Sequence, residues 1–174
     1  MAPSPGETVI GNHAVGVAAG SAYTCAVLDS GKVFCWGDNE FGQLGRPPDE
    51  TVNGVIYEVP GVDSAVQVVA GLAETCALLS DGHVSCWGRL NYPSERPIGP
   101  TQVANLESVT EISGNFGTAY SSTGVGGTSF CGVRADASVA CWGDLVPRVT
   151  LNEYANPYEF EEAPPPAQPA VRME

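Results

Sequence analysis

The side chains best suited to chemistry in this 174-residue chain are six cysteines, which fall into three pairs with one spacing. Cys25 stands ten positions before Cys35, Cys76 before Cys86, and Cys131 before Cys141. Each pair brackets a turn-forming tip, Asp29-Ser30-Gly31, Ser80-Asp81-Gly82 or Asp136-Ala137. If the first tip is a three-residue loop, Leu28 faces Lys32, Ala26 faces Phe34 and Cys25 faces Cys35 across two antiparallel strands. Opposed residues of such a pair have Cα atoms about 4.5 to 5.5 Å apart, within reach of a disulfide. The spacing therefore predicts three disulfides, each closing a loop of about ten residues and contributing on the order of 2 to 3 kcal/mol. Two other chemistries compete with this one. Free thiols would suit a reducing compartment, where cysteine is a small buried residue. Zinc asks for four ligands, whereas each pair offers two, there is no Cys-x-x-Cys, and both histidines lie off the pattern. Disulfides imply an extracellular, periplasmic or cell-surface protein. Met1-Ala-Pro-Ser-Pro-Gly lacks the basic start and apolar run of a secretory signal, so any such signal has been removed or lies elsewhere.

No other constellation points to catalysis. His13 and His83 are the only histidines, and His83 occupies the hairpin position of Lys32 in the first pair, which suits a surface residue. Asp49-Glu50 and Glu161-Glu162 are carboxylate pairs in loop or tail sequence, where solvated charge is the ordinary outcome. Gly124-Val125-Gly126-Gly127 lacks the following Lys-Ser/Thr of a phosphate loop. Gly37-Asp38-Asn39-Glu40 has only part of a calcium-loop ligand ladder. The expectation is a protein that is not an enzyme, with no cofactor and no catalytic or metal site.

The elements that carry the cysteines repeat. VAAGSAYTCAVLDSGKVFCWGD, ending just after Trp36, recurs from Val68 as VVAGLAETCALLSDGHVSCWGR, and the tryptophans Trp36 and Trp87 stand 51 residues apart. A looser third copy opens at Ile112-Ser113-Gly114, carries an insertion rich in Ser, Thr and Gly, and closes as FCGVRADASVACWGD around Trp142. Gly20, Gly71 and Gly114 each end an apolar entry strand, which a hairpin of two further strands follows. At the third tip no glycine is available for a positive φ, so a different turn type is expected there. Val55-Ile56-Tyr57 and similar short runs suit a fourth strand. The fold class is therefore all-β, with a sheet of four antiparallel strands per repeat. The tryptophans read as packing residues. Phe41, Tyr57, Tyr92, Phe116, Tyr120, Tyr154, Tyr158 and Phe160, outside the repeat phrase, are candidates for surface contact.

Trp36-Gly37-Asp38-Asn39 followed by Phe41-Gly42-Gln43-Leu44-Gly45 resembles the signature of the regulator-of-chromosome-condensation repeat family. Trp87-Gly88 and Trp142-Gly143 match it in the second and third copies, without the Gly-Gln-Leu-Gly segment. The resemblance implies a β-propeller whose four-stranded blades stack radially, with about seven blades in a closed ring. The expected organisation is an N-terminal extension over 1–13, blades over 14–60, 61–108 and 109–160, and a Pro-rich tail over 161–174. Three blades are fewer than a ring, so two outer faces call for cover, from more of the same polypeptide, from further copies, or from a partner.

Charge narrows the function. Twenty acidic against seven basic residues give a formal charge of −13, which repels a phosphate backbone, and no stretch approaches about 18 apolar residues. Neither a nucleic-acid partner nor membrane insertion is expected. The expected function is a non-catalytic extracytoplasmic scaffold that binds a protein partner or itself through open blade faces. The resemblance also implies two alternatives, a secreted inhibitor of the propeller type that covers a β-lactamase site, and a guanine-nucleotide-exchange or chromatin module.

Overall fold

The computed structural model describes residues 13–48, 55–89, 99–116 and 128–143. In the first sheet β1 (Ala14–Ala19), β2 (Tyr23–Leu28), β3 (Val33–Gly37) and β4 (Tyr57–Glu58) lie side by side in chain order, all antiparallel. The second sheet repeats this with β5 (Ala65–Ala70), β6 (Glu74–Leu79), β7 (Val84–Gly88) and β8 (Thr101–Gln102). The third has β9 (Val109–Phe116), β10 (Thr128–Arg134) and β11 (Val139–Gly143), and a fourth strand of this sheet would fall after Gly143, outside the described residues. Among the described residues there is no helix, hence none long and apolar enough to cross a membrane.

Each hairpin has the register that the cysteine spacing predicts. Leu28 N–H donates to the Lys32 carbonyl at 2.9 Å, and hydrogen-bonded pairs alternate from there, so Cys25 and Cys35 meet at a non-hydrogen-bonded position where strands approach most closely. Disulfides join Cys25–Cys35, Cys76–Cys86 and Cys131–Cys141, with Cα separations of 4.1, 4.1 and 4.0 Å.

The tips close alike. Gly31 donates to Leu28 and Gly82 to Leu79, with φ of 81° and 84°. The third tip does not change turn type as expected: Ala137 donates to Arg134 at 2.9 Å with φ of 67°, so an alanine takes the left-handed conformation of the glycines. Two strands already fixed by their ladder and disulfide impose the turn, and the residue bears the strain. The glycine after each tryptophan meets a harder constraint. Gly37, Gly88 and Gly143 have φ of 109°, 92° and 110°, and a Cβ there would lie 2.3 to 2.6 Å from the carbonyl oxygen of Ala22, Ala73 or Thr128. No other residue fits.

The core sits between sheets. One apolar cluster joins Cys25, Val27, Val33 and Cys35 of the first sheet, with Leu44 of the loop after β3, to Ala65, Val68, Ala70, Ala77 and Trp87 of the second. Another joins Cys76, Leu78, Val84 and Cys86 of the second to Val109, Ile112, Phe130, Ala140 and Trp142 of the third. Each sheet is thus a blade. Its cysteines lie on the face toward the next blade, here called the exit face, and its tryptophan on the entry face toward the blade before.

Candidate functional site: two joints and two free faces

The joint between the first two blades is built around one loop. Asn39 ties it from within: its Oδ1 accepts from Leu44 N–H at 3.0 Å and its Nδ2 donates to the Pro47 carbonyl at 3.0 Å. Gln43 does the same, its Nε2 donating to Asp38 Oδ2 at 2.9 Å and its Oε1 accepting from Phe41 N–H at 2.8 Å. With both amide side chains turned inward, the Gln43 carbonyl is left to face the next blade. There it accepts from Trp87 Nε1–H at 2.9 Å, and the Thr75 hydroxyl lies 3.1 Å away. Tyr23 completes the joint by donating to the Glu74 carbonyl at 2.5 Å and accepting from Gly71 N–H at 3.2 Å. Burial pushes the Tyr23 hydroxyl well above the usual phenol range, so it stays a donor at any ordinary pH.

The second joint uses other groups. The Gln67 amide clamps the backbone of Ile112, with Nε2 donating to the carbonyl at 2.7 Å and Oε1 accepting from N–H at 2.9 Å. Thr128 Oγ1 accepts from Leu72 N–H at 3.0 Å and donates to the buried Glu74 carboxylate, which also accepts from Ala73 N–H. Among the described residues the buried indole Nε1–H of Trp142 has no hydrogen-bond partner. The second repeat lacks the Gly-Gln-Leu-Gly segment whose carbonyl serves Trp87, and residues 90–98, which follow its tryptophan, lie outside the described residues. The hairpin tips are common to both joints: Gly31 O accepts from Ala65 N–H at 2.9 Å, and Gly82 O from Val109 N–H at 3.0 Å.

The ends of the arc expose what the joints bury. Val17, Val68 and Ile112 occupy one repeat position, just before the residue opposite the first cysteine, and are 70%, 5% and 2% exposed. Val33, Val84 and Val139 occupy another, at the start of the third strand, and are 0%, 0% and 58% exposed. Residue types at the free ends match those inside, so position in the arc alone sets the difference. The first blade keeps an open entry face, with Val17 exposed and Trp36 half-buried, and the third an open exit face with Val133 and Val139 exposed.

The predicted repeat residues divide accordingly. Trp87 and Trp142 are buried in the two clusters, whereas Trp36 lies on the open face. Gly20 and Gly71 turn into the hairpins with N–H bonds to the Tyr23 and Glu74 carbonyls, and a Cβ on Gly114 would meet the Phe130 ring at 2.7 Å. Gly42 and Gly45 sit in the Gln43 loop, both with positive φ. Of the contact candidates, Tyr57 is half-buried against the first cluster with the Arg46 guanidinium 4.1 Å from its ring centroid. Phe41 carries the Arg89 guanidinium at 4.8 Å. Phe116 ends β9, and its side chain lies outside the described residues, as do Tyr92, Tyr120, Tyr154, Tyr158 and Phe160. His13 and His83 stand 3.3 and 3.2 Å from the exposed carboxylates of Asp29 and Asp81. Sequence reasoning missed Tyr23, Gln67, Thr75 and Thr128. A polar side chain inside an otherwise apolar entry strand, as at Gln67, was the available signal.

Four-stranded antiparallel blades that stack face to face through such loops define a segment of β-propeller. Two family models, both described as regulator of chromosome condensation (RCC1) repeat, match residues 14–43 with 65–92 and, in a shifted frame, residues 30–78. Residues 14–92 therefore carry repeats of the RCC1 type. The human E3 ubiquitin-protein ligase HERC2 is 30% identical over 148 residues, 83% of this chain but 3% of its own length. The human regulator of chromosome condensation is 34% identical over 125 residues, 64% of this chain and 29% of the relative. Human WBSCR16 superposes with a TM-score of 0.59 at 22% identity, over 75% of this chain and 34% of that one. Prp20p of Saccharomyces cerevisiae gives 0.57 at 20% identity, over 74% and 32%. At these identities the superpositions show the fold. The chain spans about a third or less of each of these relatives and structures.

Proposed function

We propose that this chain is a non-catalytic protein-interaction module that binds through the two free blade faces and works outside the reducing cytosol. The observation that carries the reading is the change of two apolar repeat positions from buried inside the arc to exposed at its ends, that of Val17 on one side and that of Val139 on the other. Apolar positions built to be covered are the ordinary mark of an interface. Protein partners are also known for structural neighbours: Prp20p with Gsp1p and histones, and yeast RCC1 with Kap60. Compartment is argued from the three disulfides and the absence of free cysteine.

Light scattering on the purified chain tests the binding reading. Self-association is the expected result, relieved by Val17→Asp or Val139→Asp without change in the far-ultraviolet circular dichroism. A sharply monomeric wild-type chain of high thermal stability would overturn it. The compartment is tested separately, by alkylating and weighing the non-reduced protein from its native source; six alkylated thiols would sink that part.

A further inference from the structure

The three disulfides share sequence spacing, register and Cα separation, and differ in what covers them. Cys25, Cys35, Cys76 and Cys86 are fully buried, each pair inside a joint with the next blade packed over its sulfurs. Cys131 and Cys141 face the open exit side of the third blade, are partly exposed, and belong to neither apolar cluster. Exchange requires a thiolate to approach a sulfur along the S–S axis, so access separates bonds that are otherwise alike. For the first two bonds that approach requires a joint to open. For the third it requires only diffusion to the surface.

We infer that Cys131–Cys141 is a thiol–disulfide exchange site whose substrate class is a dithiol, and that the other two bonds are structural. A thiolate of the dithiol attacks one sulfur of the bond, forming a mixed disulfide and releasing the other cysteine as a thiolate, which takes a proton. The second thiol of the reagent then attacks the mixed disulfide. The products are two cysteine thiols and one oxidised dithiol, with two electrons and two protons transferred. Reduction opens the ten-residue clamp across β10 and β11, the strands that carry Val133 and Val139 on the open face. The redox state of this bond thereby sets how firmly that face is held.

The test is a time course of the full chain carrying Val17→Asp, which keeps copies apart and leaves the third blade unchanged, with dithiothreitol under native conditions, quenched with iodoacetamide and mapped by peptide mass. Cys131 and Cys141 are expected to become alkylated at least about tenfold faster than the other four, because local access outruns opening of a packed joint. Low urea supplies a second readout: it should accelerate labelling of the two buried pairs and leave the third unchanged. Equal rates for all three bonds, or first attack at Cys25–Cys35 or Cys76–Cys86, would overturn the inference.

Discussion

Ala137 occupies a turn position that its two sister repeats give to glycine, and its φ of 67° lies where an L side chain crowds its own backbone. Glycine would relieve that crowding at some cost in unfolded-chain entropy, for a net gain of about 0.5 to 1 kcal/mol. Ala137→Gly should therefore raise the urea midpoint without altering the slope, measured by fluorescence. At the second tip Asp81 accepts from His83 N–H at 3.0 Å, and this bond, followed by the His83 side chain, holds its carboxyl below the usual range. A carboxyl lowered by folding stabilises the protein above its unfolded pKa, near 3.9, and that contribution is lost as the pH falls through the folded value. In an NMR titration Asp81 should have its midpoint below that of an unstructured aspartate. His83→Ala should bring it only part of the way back, because the backbone bond remains.

Among elements, the most instructive contrast is between two tryptophans in one motif. Trp87 Nε1–H is bonded to the Gln43 carbonyl, while that of Trp142 has no partner among the described residues. Replacing either by Phe removes similar ring area, but only Trp87→Phe breaks a buried hydrogen bond. Chemical denaturation should show that variant to be less stable than Trp142→Phe by about 1 to 3 kcal/mol. Gln67→Leu, which leaves the N–H and C=O of Ile112 unserved along the edge of β9, should cost about 2 kcal/mol by the same measurement. The hairpins and their disulfides were legible in the sequence because a strand period of two and a three-residue tip leave one register in which the cysteines meet. The joints were not. Trp36, Trp87 and Trp142 share a phrase, but their surroundings depend on which blade precedes them, and a local pattern does not record that. The third tip departs from the expected change of turn type because flanking strands can force on alanine the positive φ that glycine adopts at lower cost.

For the molecule as a whole, an entry face at one end and an exit face at the other are unlike surfaces that repeat the two halves of an internal joint. Copies meeting through them must do so head to tail. Val17→Asp spoils the entry face and Val139→Asp the exit face, so each variant alone should be monomeric. An equimolar mixture still has one sound face of each kind and should form a heterodimer and nothing larger, as sedimentation would show. A mixture that stays monomeric, or assembles beyond two, would argue against this pairing. The hairpin tips carry a consequence of another kind. At Gly31 and Gly82 one residue both closes its own turn and receives the following blade's strand, whereas among the described residues nothing leans on Ala137. Lengthening either of the first two tips would dislodge a neighbour in the same chain, whereas among the described residues the third has none, which makes it the place to splice in a tag or graft an epitope that also blocks head-to-tail assembly.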